Sequence, residues 1–303
     1  MHEFTNRVAV VTGAASGIGR ALAERLAQEG MHVMLADVEA SALGRAVEAL
    51  RAAGHDVRGT VTDVSQAADV ERLAQATLDA FGKIHVVCNN AGVNGGRGHD
   101  RSVLGPPPAI WEASLADWQW ITGVNYFGVA HGIRTFVPIL LAQNEDGHVV
   151  NTGSMAGLTL GHNVYGVTKH AVVAMSEALY RDFRRLGTRL GVTVICPTLV
   201  STNIYTADRN RPAALADPER PALSDDEVAR LRTAWSRGFP PEHIAEQTVQ
   251  AIRDDQLYLV IGTPAHDGSI RERVQAILER RNPTDPSIPA SALAPDPSPT
   301  PTR

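Results

Sequence analysis

One short stretch holds the residue types a proton transfer needs: Ser154, Tyr165 and Lys169. Tyr165 and Lys169 are four residues apart, so on a helix they share a face, with Cβ atoms about 5–6 Å apart. A free phenol has a pKa of about 10. A neighbouring ammonium favours the phenolate and brings that value toward working pH. Tyr165 then reads as a general base toward an alcohol and a general acid toward a carbonyl. Ser154 follows the apolar run Gly147–Gly153, a short buried strand, and is placed to hydrogen-bond an oxygen on which charge develops. An arbitrary Tyr-x-x-x-Lys pair is more often a half-buried tyrosine with an incidental lysine. The surrounding elements therefore have to decide.

Those elements alternate. Arg7–Thr12 is a β-branched run that reads as a buried strand. It breaks into Gly13-Ala14-Ala15-Ser16-Gly17-Ile18-Gly19, and a helix follows to about Gly30. Strand, glycine loop, helix is an anion-binding arrangement, because glycines let the backbone approach and the helix N-terminus offers free N–H groups. Taken alone, the loop is equally a tight structural turn. A second strand, His32–Ala36, ends at Asp37, about 20 residues after the loop, where a carboxylate accepts hydrogen bonds from an adenosine ribose. Asp37 can also serve as a turn or cap residue. Its charge repels a 2′-phosphate, and neither Ala15 nor Val38 supplies a cation, so the pattern favours NAD over NADP.

Helices are expected over 41–53 and 66–81, with strands over 57–62 and 84–88. Asp63 and Val64 close one strand, where Asp63 is a cap residue or an adenine contact. Asn89-Asn90-Ala91-Gly92 closes the next. Residues 93–108 form a glycine- and proline-rich loop. A long helix over 115–141 carries Asn125, and Pro138 is expected to bend or end it. After the helix from Asn163 to Leu186 come a strand over 192–196, an irregular insertion over 203–239, a helix over 241–253, a strand over 257–261 and a last helix over 269–281. This alternation implies a single α/β domain over 1–281: a doubly wound, Rossmann-type parallel sheet of about seven strands with helices on both faces. The insertion covers the site, an extra helix follows the sheet, and the proline-rich stretch 282–303 is expected to be a disordered tail. Ligands of such sheets bind at the carboxyl edge, where Ser154 and Tyr165 fall.

The chain has 303 residues, of which 44% are hydrophobic and 20% charged, with a net charge of −5. The mild acidity gives no reason to expect nucleic acid or a membrane surface as partner. No apolar run approaches the roughly 20 residues a span needs. The N-terminus lacks a signal-peptide pattern, and Cys88 and Cys196 follow apolar runs as buried thiols, so a cytoplasmic location is expected. There is no zinc-like Cys/His spacing, and no metal is expected. Asn94, Met155, Leu158, His162 and Leu199 are candidates for the substrate wall, and their largely apolar character suggests a hydrophobic substrate. His162 and His170 flank the site without an assigned chemical role.

Together these residues resemble the short-chain dehydrogenase/reductase family. The matching motifs, in order, are Thr12-Gly13-x-x-x-Gly17-x-Gly19, Asp63-Val64, Asn89-Asn90-Ala91-Gly92, Asn125, Ser154, Tyr165-x-x-x-Lys169 and Pro197-Thr198-x-Val200-x-Thr202. The family's proline-glycine pair is Pro197-Thr198 here, and its common Val-Asp-Gly-Gly ending is absent. More loosely, the chain resembles members that oxidise bulky benzylic (Cα) alcohols. The resemblance implies an NAD(H)-dependent alcohol dehydrogenase or ketoreductase acting on a small-molecule secondary alcohol or ketone. It implies that Lys169 holds the nicotinamide ribose, that Asn125 holds a water linking Lys169 to solvent, and that the backbone over 197–202 covers the carboxamide. It also implies a homodimer or homotetramer built on the two long helices. The same fold hosts epimerases, dehydratases and dinucleotide sensors. An intact Asn125, Ser154, Tyr165 and Lys169 argues against the last of these.

Overall fold

The computed structural model describes residues 1–95, 109–161, 163–216 and 222–284. Most of the loop expected over 93–108, His162, and nearly all of the proline-rich tail lie outside the described residues. Two compact units are distinguished, Met1–Gly262 and Thr263–Arg303.

In the first unit the order is β1 (Val8–Thr12), α1 (Gly17–Gln28), β2 (His32–Asp37), α2 (Ala40–Ala52), β3 (Val57–Val61), α3 (Ala67–Phe81) and β4 (Val86–Asn89). There follow α4 (Leu115–Thr122), a wide π-helical turn (Gly123–Phe127), α5 (Gly128–Gln143), β5 (Gly147–Thr152), α6 (Val164–Leu186) and β6 (Leu190–Pro197). The unit ends with α7 (Asp225–Trp235), α8 (Pro241–Arg253) and β7 (Tyr258–Ile261). The second unit contributes α9 (Pro264–Glu279). Among the described residues, no helix is long and apolar enough to cross a membrane.

The seven strands form one parallel sheet in the order β3-β2-β1-β4-β5-β6-β7. Both faces are covered, which is why β1, β5 and β6 are buried at every residue. Alternate residues feed two cores. Val11, Leu35 and Cys88 pack with Leu22 and Leu26 of α1, Leu50 of α2 and Ile244 and Ile252 of α8. Val10, Met34 and Val87 pack on the other face with Leu73 of α3, Phe136 and Leu140 of α5 and Phe183 of α6. The strand order reverses between β1 and β4, and one hydroxyl stitches that junction. Thr12 Oγ1 donates to the Cys88 carbonyl (3.2 Å) and accepts from the N–H groups of Asn90 (2.9 Å) and Ala91 (3.0 Å).

The single helix expected over 115–141 is divided. The π turn is centred on Asn125, whose buried amide clamps the loop after β4. Its Oδ1 accepts from Val93 N–H, and its Nδ2 donates to the Val93 carbonyl, both at 2.8 Å. Pro138 does not end α5, which runs on to Gln143. Pro138 and Arg134, the residue whose carbonyl loses its N–H partner, both lie on the exposed side of the helix.

Candidate active site

A cavity of about 710 Å³ opens at the carboxyl edge of the sheet, over the reversal between β1 and β4. Gly13, Ser16, Gly17 and Ile18 line one side. Gly13 has φ 66°, a backbone conformation only glycine adopts without strain. The Ser16 side chain makes no cap hydrogen bond, and the first turn of α1 carries no acidic residue. Its N–H groups and dipole are therefore available to an anion. Gly19 does not line the cavity. A Cβ there would overlap the Gly13 carbonyl and the Asn90 amide, so this glycine serves the close packing of α1 against the strand ends.

Asp37 closes one end of the cavity. Its carboxylate is fixed from both sides: Oδ2 accepts from Ala15 N–H at 2.9 Å and Oδ1 from Glu39 N–H at 3.0 Å. Asp63 and Val64 stand beside it, and Asn90, Ala91 and Gly92 form the floor. The roof is the stretch after β6, with Pro197, Val200 and Thr202 on the lining. A Cβ at Gly17 would touch Thr202 Cγ2 at 3.0 Å, so roof and glycine loop meet closely. This cradle suits an extended ligand with a diphosphate at the α1 N-terminus and a hydroxylated sugar at Asp37.

Ser154, Tyr165 and Lys169 converge at the other end. Asn163 starts α6 by accepting from Gly166 N–H at 2.9 Å, which sets Tyr165 on the first turn and Lys169 one turn later. Ala156 N–H donates to Ser154 Oγ at 3.1 Å, and Ser154 is hydrogen-bonded to the Tyr165 phenol. Lys169 Nζ donates to the Thr152 carbonyl at 2.7 Å and sits 5.4 Å from the centroid of the Tyr165 ring. Burial pushes the phenol above its ordinary value, opposed by the Ser154 hydrogen bond. Burial pulls the Lys169 ammonium down to about 8. Desolvation of the phenolate outweighs the hydrogen bond that favours it.

Asn125 is fully buried beneath this end rather than on the cavity lining. Besides Val93 it donates to Thr168 Oγ1 at 3.2 Å, which joins the π turn to α6 next to Lys169. On the substrate side, Asn94, Met155 and Leu199 line the cavity as expected. Leu158 does not; it packs behind α6 against the cluster of Val129, Val172, Val173, Val194 and Cys196. His162 lies outside the described residues. Sequence reasoning missed Trp120 on the wall and Glu39 at the Asp37 end, while Ile204, Arg209 and Trp235, also on the lining, fall within the stretch 203–239 read as an insertion over the site and as a candidate for its wall. Among the described residues no cluster of three or more His, Cys, Asp or Glu side chains forms a metal site.

The sequence matches the family model of the short chain dehydrogenases over residues 7–213. The chain belongs to the short-chain dehydrogenase/reductase family. A short-chain dehydrogenase/reductase from Burkholderia phymatum, solved in complex with NAD, is similar with a TM-score of 0.85 and 45% identity, covering 94% of this chain and 99% of that one. The 1-deoxy-11-beta-hydroxypentalenate dehydrogenase of Streptomyces avermitilis is 41% identical over 64% of this chain and 68% of that protein. The C alpha-dehydrogenase of Sphingobium sp. (strain NBRC 103272 / SYK-6) is 31% identical over 92% of this chain and 88% of that protein. Membership makes this short-chain dehydrogenase/reductase an oxidoreductase.

Proposed function

We propose that this short-chain dehydrogenase/reductase interconverts a secondary alcohol and a ketone with NAD(H), on a bulky apolar or aromatic substrate. The observation that carries this reading is one cavity with a fixed carboxylate, Asp37, at one end and Ser154, Tyr165 and Lys169 at the other. A nicotinamide dinucleotide, when bound, supplies the hydride carrier. Ser154 holds the substrate oxygen, Tyr165 gives it a proton in reduction and takes one in oxidation, and Lys169 holds ribose hydroxyls. Asn125 positions α6 and the floor loop beneath them. The solved relative in complex with NAD supports the cofactor choice, as does the carboxylate facing the ribose end. The names of the pentalenate and C alpha-dehydrogenases support the reaction class. Met155, Leu199, Ile204, Trp120 and Trp235 make the substrate wall apolar.

A panel of secondary alcohols with NAD⁺ and ketones with NADH, graded in bulk, tests the reading. The expected result is kcat/KM rising with apolar bulk and higher with NAD⁺ than with NADP⁺ by more than about tenfold, or ~1.4 kcal/mol. Absence of turnover across the panel, or a preference for NADP⁺, overturns it. A homodimer or homotetramer belongs to the same reading, supported by the exposed apolar side chains Phe127 in the π turn and Val167 on α6. So does a cytoplasmic location, supported by the buried free thiols Cys88 and Cys196.

A further inference from the structure

Beyond Asp37 the cavity is closed by an ion pair that the proposed chemistry does not use. Glu39 stands two residues after Asp37, at the start of α2, where its side chain makes no helix cap. Arg209 arrives from 170 residues further along the chain, in the turn Ile204–Asn210. Its Nε and Nη2 donate to Glu39 Oε1 at 3.1 and 2.7 Å, and Asn210 Nδ2 donates to the same oxygen at 2.8 Å. The remaining nitrogen is held by Arg209's own turn. Nη1 donates to the carbonyls of Thr206 (3.0 Å) and Asn203 (3.3 Å) and to Thr206 Oγ1 (3.2 Å). Backbone carbonyls thus post the guanidinium at the cavity edge, while Glu39 takes up the two donors on its other side. Both residues line the cavity with Asp37.

This arrangement bears on cofactor choice, and the inference rests on the reading that Asp37 receives the adenosine ribose. In the sequence no cation stands near that ribose, since Ala15 and Val38 are neutral. The fold brings one there and neutralises it. We propose that Glu39 is a cofactor-selecting residue: by engaging Arg209 it withholds a ready-made phosphate ligand from a 2′-phosphorylated dinucleotide. Nε and Nη2 are the coplanar donor pair with which arginine grips a phosphate in two-pronged fashion. Removing Glu39 leaves them aimed along the cavity edge, still anchored through Nη1.

The test is calorimetric titration of NAD⁺ and NADP⁺ into the wild-type protein and the variants Glu39→Ala, Arg209→Ala and the double variant. Glu39→Ala is expected to tighten NADP⁺ by about tenfold while NAD⁺ stays within about twofold, as for one added charge-assisted contact. Arg209→Ala is expected to act in the opposite direction and weaken NADP⁺ severalfold, because the Glu39 charge is left uncompensated. The double variant is expected to lose the gain of Glu39→Ala. An unchanged NADP⁺-to-NAD⁺ ratio in Glu39→Ala, or a gain that survives in the double variant, overturns the proposal. Unchanged NADP⁺ affinity in Arg209→Ala does so too. A wild-type preference for NADP⁺ overturns the NAD reading instead, and the change in ratio still decides the role of Glu39.

Discussion

Tyr165→Phe is expected to lower kcat for alcohol oxidation by about 10²–10⁴-fold, with dinucleotide affinity unchanged within about twofold. The aromatic ring packs against Val93, Trp120, Ile121, Val164 and Ala207, and phenylalanine keeps those contacts. What is lost is one hydroxyl at the junction of Ser154 and the substrate. Rapid-quench or absorbance kinetics at saturating cofactor, alongside calorimetric affinities, separate the two effects. Turnover within a few-fold of wild type would remove Tyr165 from the chemistry. The environment of the phenol adds a pH signature. Because burial raises its pKa, the base form is scarce at neutral pH, so kcat/KM for oxidation should climb as pH rises into the alkaline range. Reduction, which needs the protonated phenol, should fall over the same interval. Tyr165→Phe should flatten both trends.

Acid should destabilise the protein through His148, at the opposite edge of the sheet. Its imidazole is fully buried in β5, with Nε2 against Thr193 Oγ1 at 2.8 Å. The Thr193 hydroxyl donates onward to the Gln256 carbonyl at 2.7 Å, so the imidazole is the donor to Thr193. Nδ1 has no hydrogen-bond partner among the described residues, so protonation would bury an unpaired charge. Burial pulls the pKa down to about 3. A depressed histidine pKa means the unfolded chain binds the extra proton first. The contribution is complete above about pH 6.5 and is lost as pH falls from there toward 3, at ~1.4 kcal/mol per unit. By pH 5 the loss is about 2 kcal/mol, a sizeable part of a stability of roughly 5–15 kcal/mol. His85 moves in the same direction, chiefly through burial. Denaturant melts from pH 7.5 to 5 should show the decline. His148→Gln, which keeps a donor toward Thr193, should start less stable at pH 7.5 and decline less. Parallel lines for variant and wild type would clear His148.

The parts of this architecture that were legible in the sequence rest on local chemistry. β-Branched runs such as Val8–Thr12 and Leu190–Pro197 announce buried parallel strands, and the glycines between β1 and α1 announce a phosphate cradle. The spacing of Tyr165 and Lys169 puts both on one helix face before any coordinates exist. The illegible parts depend on partners distant in sequence. The π turn exists because the Asn125 amide matches both polar groups of Val93, 32 residues away, and helix propensity carries no trace of that pairing. Leu158 reads as pocket wall because it neighbours Ser154, yet the turn at Met155–Gly157 rotates it into the packing behind α6. The Arg209–Glu39 pair bridges segments that no local pattern connects.

The excursion that supplies Arg209, Ile204 and Trp235 leaves and re-enters the fold at one point. Val200 pairs with Phe239, and the Leu199 carbonyl and Ser201 N–H bond the two sides of Phe239 at 2.9 Å. Between those ends it carries its own apolar nucleus of Tyr205, Leu231 and Trp235. The same segment is tied to its host by a buried ion pair, Arg211 with Asp117 at 2.6 Å, and by Ala207, which packs with Trp120 and Ile121. Its closed ends let the segment change in length without displacing β6, but a replacement must supply partners for Asp117 and for the apolar surface of Trp120. A change in what this protein accepts can thus be written into one segment, with Asp117 and Glu39 as the two carboxylates that its arginines must still meet.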